Sequence, residues 1–175
     1  VLQSSSATMA ITLIMLSMGW IPFGMACAMV LGENIGTTIT ANIAASIGNT
    51  QAKRAAVSHT IFNVFGVLWA LILFNPFLRL VGLITEKLFG LPNPAAEGFC
   101  VPGPTSPEGT AALYGLSMLH TLFNMTNTLI LVWFTGWIGK AVSWIIRTPE
   151  NQEKEVFRLK HISAGPLATP ELSVD

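Results

Sequence analysis

Two polar clusters interrupt a chain that is otherwise strongly apolar, and their chemistries are complementary. Gln3-Ser4-Ser5-Ser6 sets an amide and three hydroxyls ahead of the apolar run 7–18. At a helix N-terminus such donors join free N–H groups and the positive end of the helix dipole, which suits an oxyanion. In water the same residues would be an ordinary N-cap. The physics does not choose phosphate over another oxyanion. The second cluster is Gly32-Glu33-Asn34-Ile35-Gly36-Thr37-Thr38. Asn34, Thr37 and Thr38 offer hard oxygens of the kind sodium prefers, and the two glycines let the backbone unwind. The alternative is a Gly-x-x-x-Gly helix contact that needs no ligand. Glu33 argues against that bland reading, because an ionisable group in an apolar span is costly and by default marks an ion or substrate path. A buried, protonated structural acid is the competing role for it. The expected substrate set is therefore Gln3, Ser4, Ser5 and Ser6, and the expected ion set is Glu33, Asn34, Thr37 and Thr38.

A weaker signal is the echo His59-Thr60-Ile61-Phe62-Asn63 and His120-Thr121-Leu122-Phe123-Asn124, 61 residues apart. In each copy His and Asn are four residues apart and share a helix face. Hydrogen bonding between neighbouring helices is the first reading, and direct participation in ion or proton coupling is the second. Further ligands would be needed for a resident metal, so no cofactor is expected beyond Na+ as a coupling ion. Cys27 and Cys100 have no metal or redox spacing.

These residues must be held by membrane helices. Only 10% of residues are charged and 51% are hydrophobic, far below the roughly 25% charge of a soluble domain. Residues 1–52 carry one charge, Glu33, while 55–78 and 109–139 carry none. Nucleic-acid binding is set aside, since the nine basic residues make no cluster. The run 7–18 is too short to span and ends at Gly19-Trp20-Ile21-Pro22, as half of a re-entrant hairpin would. From Phe23 to Ile47 we expect one span broken at Gly32–Thr38. Two long spans follow, from Ala55 to about Leu78 and from Thr110 to about Gly139, separated by a polar loop from about Glu86 to Gly109. The predicted fold is thus an all-α polytopic membrane protein: a re-entrant half-helix hairpin, one broken transmembrane helix and two long ones. Residues 1–146 form the transport domain and 147–175 a charged tail or linker.

Short loops rich in Lys and Arg favour the cytoplasm. Lys53 and Arg54 sit at one boundary, and Lys140, Arg147, Lys154, Arg158 and Lys160 follow the last span. Both ends are read as cytoplasmic, with the tail inside and the 86–109 loop and the Trp20 turn outside. The chain opens on Val within a polar motif, so we expect it to continue upstream.

Gln3-Ser4-Ser5-Ser6 followed 26 residues after Ser6 by Gly32-Glu33-Asn34-Ile35-Gly36-Thr37-Thr38-Ile39-Thr40 resembles the repeat signature of the type II sodium–phosphate cotransporters, especially the bacterial branch. His59-Thr60-Ile61-Phe62-Asn63 and the Gly66 helix are similar to that family's next span, so the resemblance covers roughly residues 1–146. It implies one half of an inverted-repeat transporter, nearest the second repeat, in the bacterial inner membrane. It also implies inorganic phosphate and sodium as ligands, and a partner in a missing first repeat or a second protomer. A PhoU-like domain would follow the tail. The expected function is sodium-coupled phosphate symport. A carrier of another small anion and a non-transporting membrane subunit are the alternatives. A membrane enzyme using Glu33, His59 or His120 is disfavoured, because no nucleophile elbow or His-Glu-x-x-His spacing occurs in any span.

Overall fold

The computed structural model describes residues 5–147, so Gln3, Ser4 and the charged tail expected from 147 onward lie outside it, apart from Arg147 itself. Six α-helices follow in order: α1 (Ser5–Ser17), α2 (Phe23–Ser46), α3 (Thr50–Ile72), α4 (Phe74–Phe89), α5 (Pro107–Leu131) and α6 (Thr135–Ile145). A short 3-10 turn, Val132–Phe134, joins the last two, and no strand occurs among the described residues. The all-helical expectation holds. Two segments, Thr50–Ile72 and Pro107–Ile145, are long and apolar enough to cross a membrane.

α1 has 13 residues, about 20 Å, too few for a bilayer core. It stops in a Schellman turn: Trp20 N–H donates to Met15 O at 2.9 Å and Gly19 N–H to Leu16 O at 3.0 Å. Gly19 takes φ +72°, and a Cβ there would strike the Val101 carbonyl. The chain then enters α2 behind Pro22, and the two helices form a hairpin. The Trp20 turn and the loop 90–106 therefore share one end of the molecule, as the charge pattern required.

The span expected to be broken is not. α2 runs unbroken through Gly32–Thr38 for 24 residues. Glycine permits unwinding but does not compel it, and here the polar side chains repair the helix they were expected to disrupt. Asn34 Nδ2 donates to Val30 O (2.9 Å), Thr37 Oγ1 to Glu33 O (3.0 Å) and Thr38 Oγ1 to Ile35 O (2.8 Å). Gly32 and Gly36 face open space, with nothing within 4 Å of where a Cβ would stand. Within the described residues they make no close helix contact either.

A second correction concerns the span expected to reach Leu78. It ends at Ile72, and a separate helix, α4, takes its place. Pro76 explains the position: it lacks the N–H that would bond Ile72 O, and its ring would crowd that carbonyl, so proline is tolerated only in a first turn. The break falls at Leu73 (φ −99°, ψ 21°). α4 buries Phe77, Val81 and Thr85 against α5 and exposes Arg79, Leu83 and Glu86. It ends at Gly90 in the left-handed region, φ +64°. Glu86 and Lys87 therefore close a helix instead of opening a loop. Glu108 lies in the first turn of α5, where the Ser106 side chain accepts from Gly109 N–H at 2.9 Å.

The core lies between α1, α2, α3, α4 and α5, built on Leu16, Phe23, Val30, Val67, Leu116, Leu119 and Phe123. α3 and α5 run antiparallel and are joined at Asn127, which is wholly buried. Its Nδ2 donates to Phe62 O (3.1 Å), and its Oδ1 accepts from Trp69 Nε1 (3.3 Å). Gly66 makes room for it: a Cβ there would come within 2.5 Å of Asn127 Nδ2.

Candidate functional site

One cavity of about 420 Å³ gathers most of the residues singled out in the sequence. α1 contributes Ser5 and Ser6 from its first turn, with Met9, Ala10 and Leu13 one and two turns on. The spacing from Ser6 to Met9, Ala10 and Leu13 is that of one helix face. Glu33, Asn34 and Thr37 enter from α2, His59 and Asn63 from α3, and His120 from α5. The two motifs, 26 residues apart in sequence, meet because the Schellman turn folds α1 back along α2. Gln3 and Ser4 lie outside the described residues. Thr38, one turn beyond Asn34, is 1% exposed and does not line the cavity.

The chemistry of the α2 wall follows from its hydrogen bonds. Thr37 spends its hydroxyl proton on Glu33 O, and Asn34 spends one amide proton on Val30 O. The Thr37 oxygen, its proton so used, has lone pairs left to offer. Glu33 adds a carboxylate whose Oε2 is covered and receives no hydrogen bond from any described residue. An unmet buried carboxylate oxygen is costly and calls for a cation or a donor. No Lys or Arg lines the cavity among the described residues.

The asparagines of the histidine echo do not make the expected bonds between helices. Asn63 Nδ2 returns to His59 O (3.0 Å) and Asn124 Nδ2 to His120 O (2.8 Å), so these bonds stay within their own helices. His59, Asn63 and His120 line the cavity instead. Bonding between helices falls to two residues the sequence reading passed over, Asn127 and Asn42. Asn42 Nδ2 donates to Thr60 Oγ1 at 2.6 Å, joining α2 to α3. Their signal was present, since each is an amide within a long helical run.

The chain thus combines two helices long and apolar enough to cross a membrane with a half-open cavity lined from four helices, and comparison with known proteins places it among membrane transport proteins. More particularly, the Na+/Pi-cotransporter family model matches residues 1–91, and the chain belongs to that family, as the resemblance read in the sequence implied. It is 42% identical over 97 residues, 55% of its own length, to "Uncharacterized protein YqeW" of Bacillus subtilis. It is 25% identical over 171 residues, 98% of its length, to "Putative inorganic phosphate export protein YjbB" of Escherichia coli. The same-named protein of Salmonella typhimurium is 24% identical over the same length. The chain spans 30% of the Bacillus relative and 27% of the enterobacterial ones. No solved structure matches it.

Proposed function

We propose that the full-length protein moves inorganic phosphate across the cytoplasmic membrane in company with sodium, and that this chain supplies one repeat of the carrier. The other half of the site would come from a first repeat or a second protomer. The observation that carries the coupling is the charge of the cavity: an anion would bind beside the Glu33 carboxylate with no Lys or Arg among the described residues of the wall. Two negative charges in a partly dry site repel by several kcal/mol at close range. A cation bound with the substrate removes that cost, and phosphate in turn favours the cation, so each raises the other's affinity. Ser5 and Ser6, with Gln3 and Ser4, are the proposed phosphate donors. Glu33, Asn34 and Thr37 are the proposed sodium ligands. Because α2 is unbroken, the ion would be held by side chains, and Thr38 is left out. The family match and the printed name of the Escherichia coli relative support phosphate as substrate.

Coupling and direction are separate properties, since a coupled carrier runs whichever way the summed gradients drive it. The enterobacterial relatives' printed name speaks of export, whereas we place this chain in sodium-driven symport. The test is the full-length protein in proteoliposomes, with phosphate flux measured under inward, outward and absent sodium gradients at fixed potential. Flux that follows the sodium gradient in sign supports the reading. Phosphate flux indifferent to sodium would leave a phosphate carrier without this coupling ion.

A further inference from the structure

Three of the five tryptophans fall within twelve residues: Trp133, Trp137 and Trp144. They are 84%, 79% and 76% exposed. Their spacing of four and then seven places them on one face running into α6, with exposed Lys140 between them and Arg147 just beyond. The opposite face is aliphatic: Val142 is buried, and Ile138 and Ile146 are half-buried, where α6 packs on α3. A face bathed in hydrocarbon would carry aliphatic residues and no charge, and a face in water would not present three indoles. Trp interleaved with Lys and Arg is the pattern of the headgroup layer, where an amphipathic ring and a cation are both satisfied.

The path of the chain agrees. Arg54 Nε donates to Ile146 O at 3.1 Å, and Asn127 Nδ2 bonds Phe62 O. Between these ties α3 runs from Arg54 to Phe62, about 12 Å, while the other arm runs from Asn127 to Ile146, about 28 Å of helix. That arm cannot continue straight beside α3. The 3-10 turn at Val132–Phe134 diverts it, so α6 leaves the axis of α5, whose 25 residues already span about 37 Å. Four of the six described Lys and Arg residues, Lys53, Arg54, Lys140 and Arg147, gather at this end, while Arg79 and Lys87 lie on α4. The described acids stand elsewhere, with Glu33 in the cavity and Glu86, Glu97 and Glu108 toward the other end.

We propose that α6 is an interfacial anchor that lies in the headgroup layer and binds anionic phospholipid, with Trp133, Trp137 and Trp144 seated at that depth and Lys140 and Arg147 holding the lipid phosphates. This surface is distinct from the transport cavity and does not depend on what the cavity carries. The test is the full-length protein in phosphatidylcholine vesicles holding a minor fraction of phosphatidylglycerol, with bromine placed near the headgroup on one lipid or the other. Tryptophan quenching is compared in the parent and in a variant with Trp133, Trp137 and Trp144 changed to Phe, and the difference isolates α6. Per mole, brominated phosphatidylglycerol should quench several-fold more than brominated phosphatidylcholine. Lys140→Gln and Arg147→Gln should each cut that preference, by up to about fivefold, and salt should weaken it. Equal quenching by the two lipids, or a preference that survives both substitutions, overturns the proposal. So does the absence of quenching, which would mean that protein, such as a second copy, covers this face.

Discussion

At the scale of single residues, the site is a division of labour between donors and acceptors. Ser5 and Ser6 stand at the start of α1, and the side chains of the α2 wall have turned protons back to their own backbone. Ser5→Ala and Ser6→Ala should each weaken phosphate binding by about 1–3 kcal/mol, read as a roughly fivefold to 150-fold rise in phosphate KM in the full-length protein. Unaltered KM in both variants would move the anion elsewhere. Glu33→Gln keeps the shape of the acid and removes its charge. The sodium concentration for half-maximal uptake should rise on the order of tenfold or more, given the strength of close charge pairs in a partly dry site. Thr37→Val should act in the same direction, whereas Thr38→Val should leave the sodium curve in place, because Thr38 is packed away from the cavity. Identical sodium curves for all three variants and the parent would make the α2 cluster structural. Both motifs were legible in the sequence because polar groups inside apolar runs are expensive and therefore conspicuous. Which of two adjacent threonines lined the cavity was not legible, because that choice belongs to how the neighbouring helices pack on α2.

Among the elements, the clearest lesson is that α2 is continuous. The residues that suggested a break are those whose side chains hold carbonyls of the same helix, and the sequence alone cannot tell a disrupting Thr from one bonded to its own backbone. The end of α3 was more readable than the expected boundary at Leu78 allowed: Pro76 sits four residues after Ile72, where a helix through it would fail. α4 was missed because its apolar stripe, Phe77, Val81 and Thr85, merges with the run before it. The junction of α3 and α5 depends on a small residue meeting a buried amide. Gly66→Ala should push Asn127 off Phe62 O and Trp69 and destabilise the protein by about 1–3 kcal/mol, since a buried polar group would lose its partners. Thermal unfolding in detergent should show a lowered Tm, partly restored by a smaller residue at Asn127. A Tm unaffected by Gly66→Ala would mean the two helices slip past each other at no cost.

For the molecule as a whole, polarity across the membrane is the property most open to test. The Trp20 turn and the 90–106 loop share one end, and Lys53, Arg54, Lys140 and Arg147 share the other. The sequence reading reached this arrangement from charge alone, because the bilayer sorts Lys and Arg before any packing is considered. Cys100 is exposed in the loop and Cys27 is fully buried in α2. A membrane-impermeant thiol reagent added outside intact cells should label Cys100 and spare Cys27. Labelling of Cys100 only after permeabilisation would invert the orientation and place α6 at the outer face.

The Schellman turn at Gly19 has a mechanical consequence. Its backbone abuts the Val101 carbonyl, so α1 is held at the end farthest from the cavity. A rod of about 20 Å fixed at one end converts a tilt of about 10° into a displacement of about 3.5 Å at the other, close to the reach of a hydrogen bond. Spin labels at positions 5 and 37 should therefore change separation when phosphate and sodium are added, while a pair at 18 and 101 holds still. Equal movement of both pairs would show that the hairpin travels as a block and has no pivot.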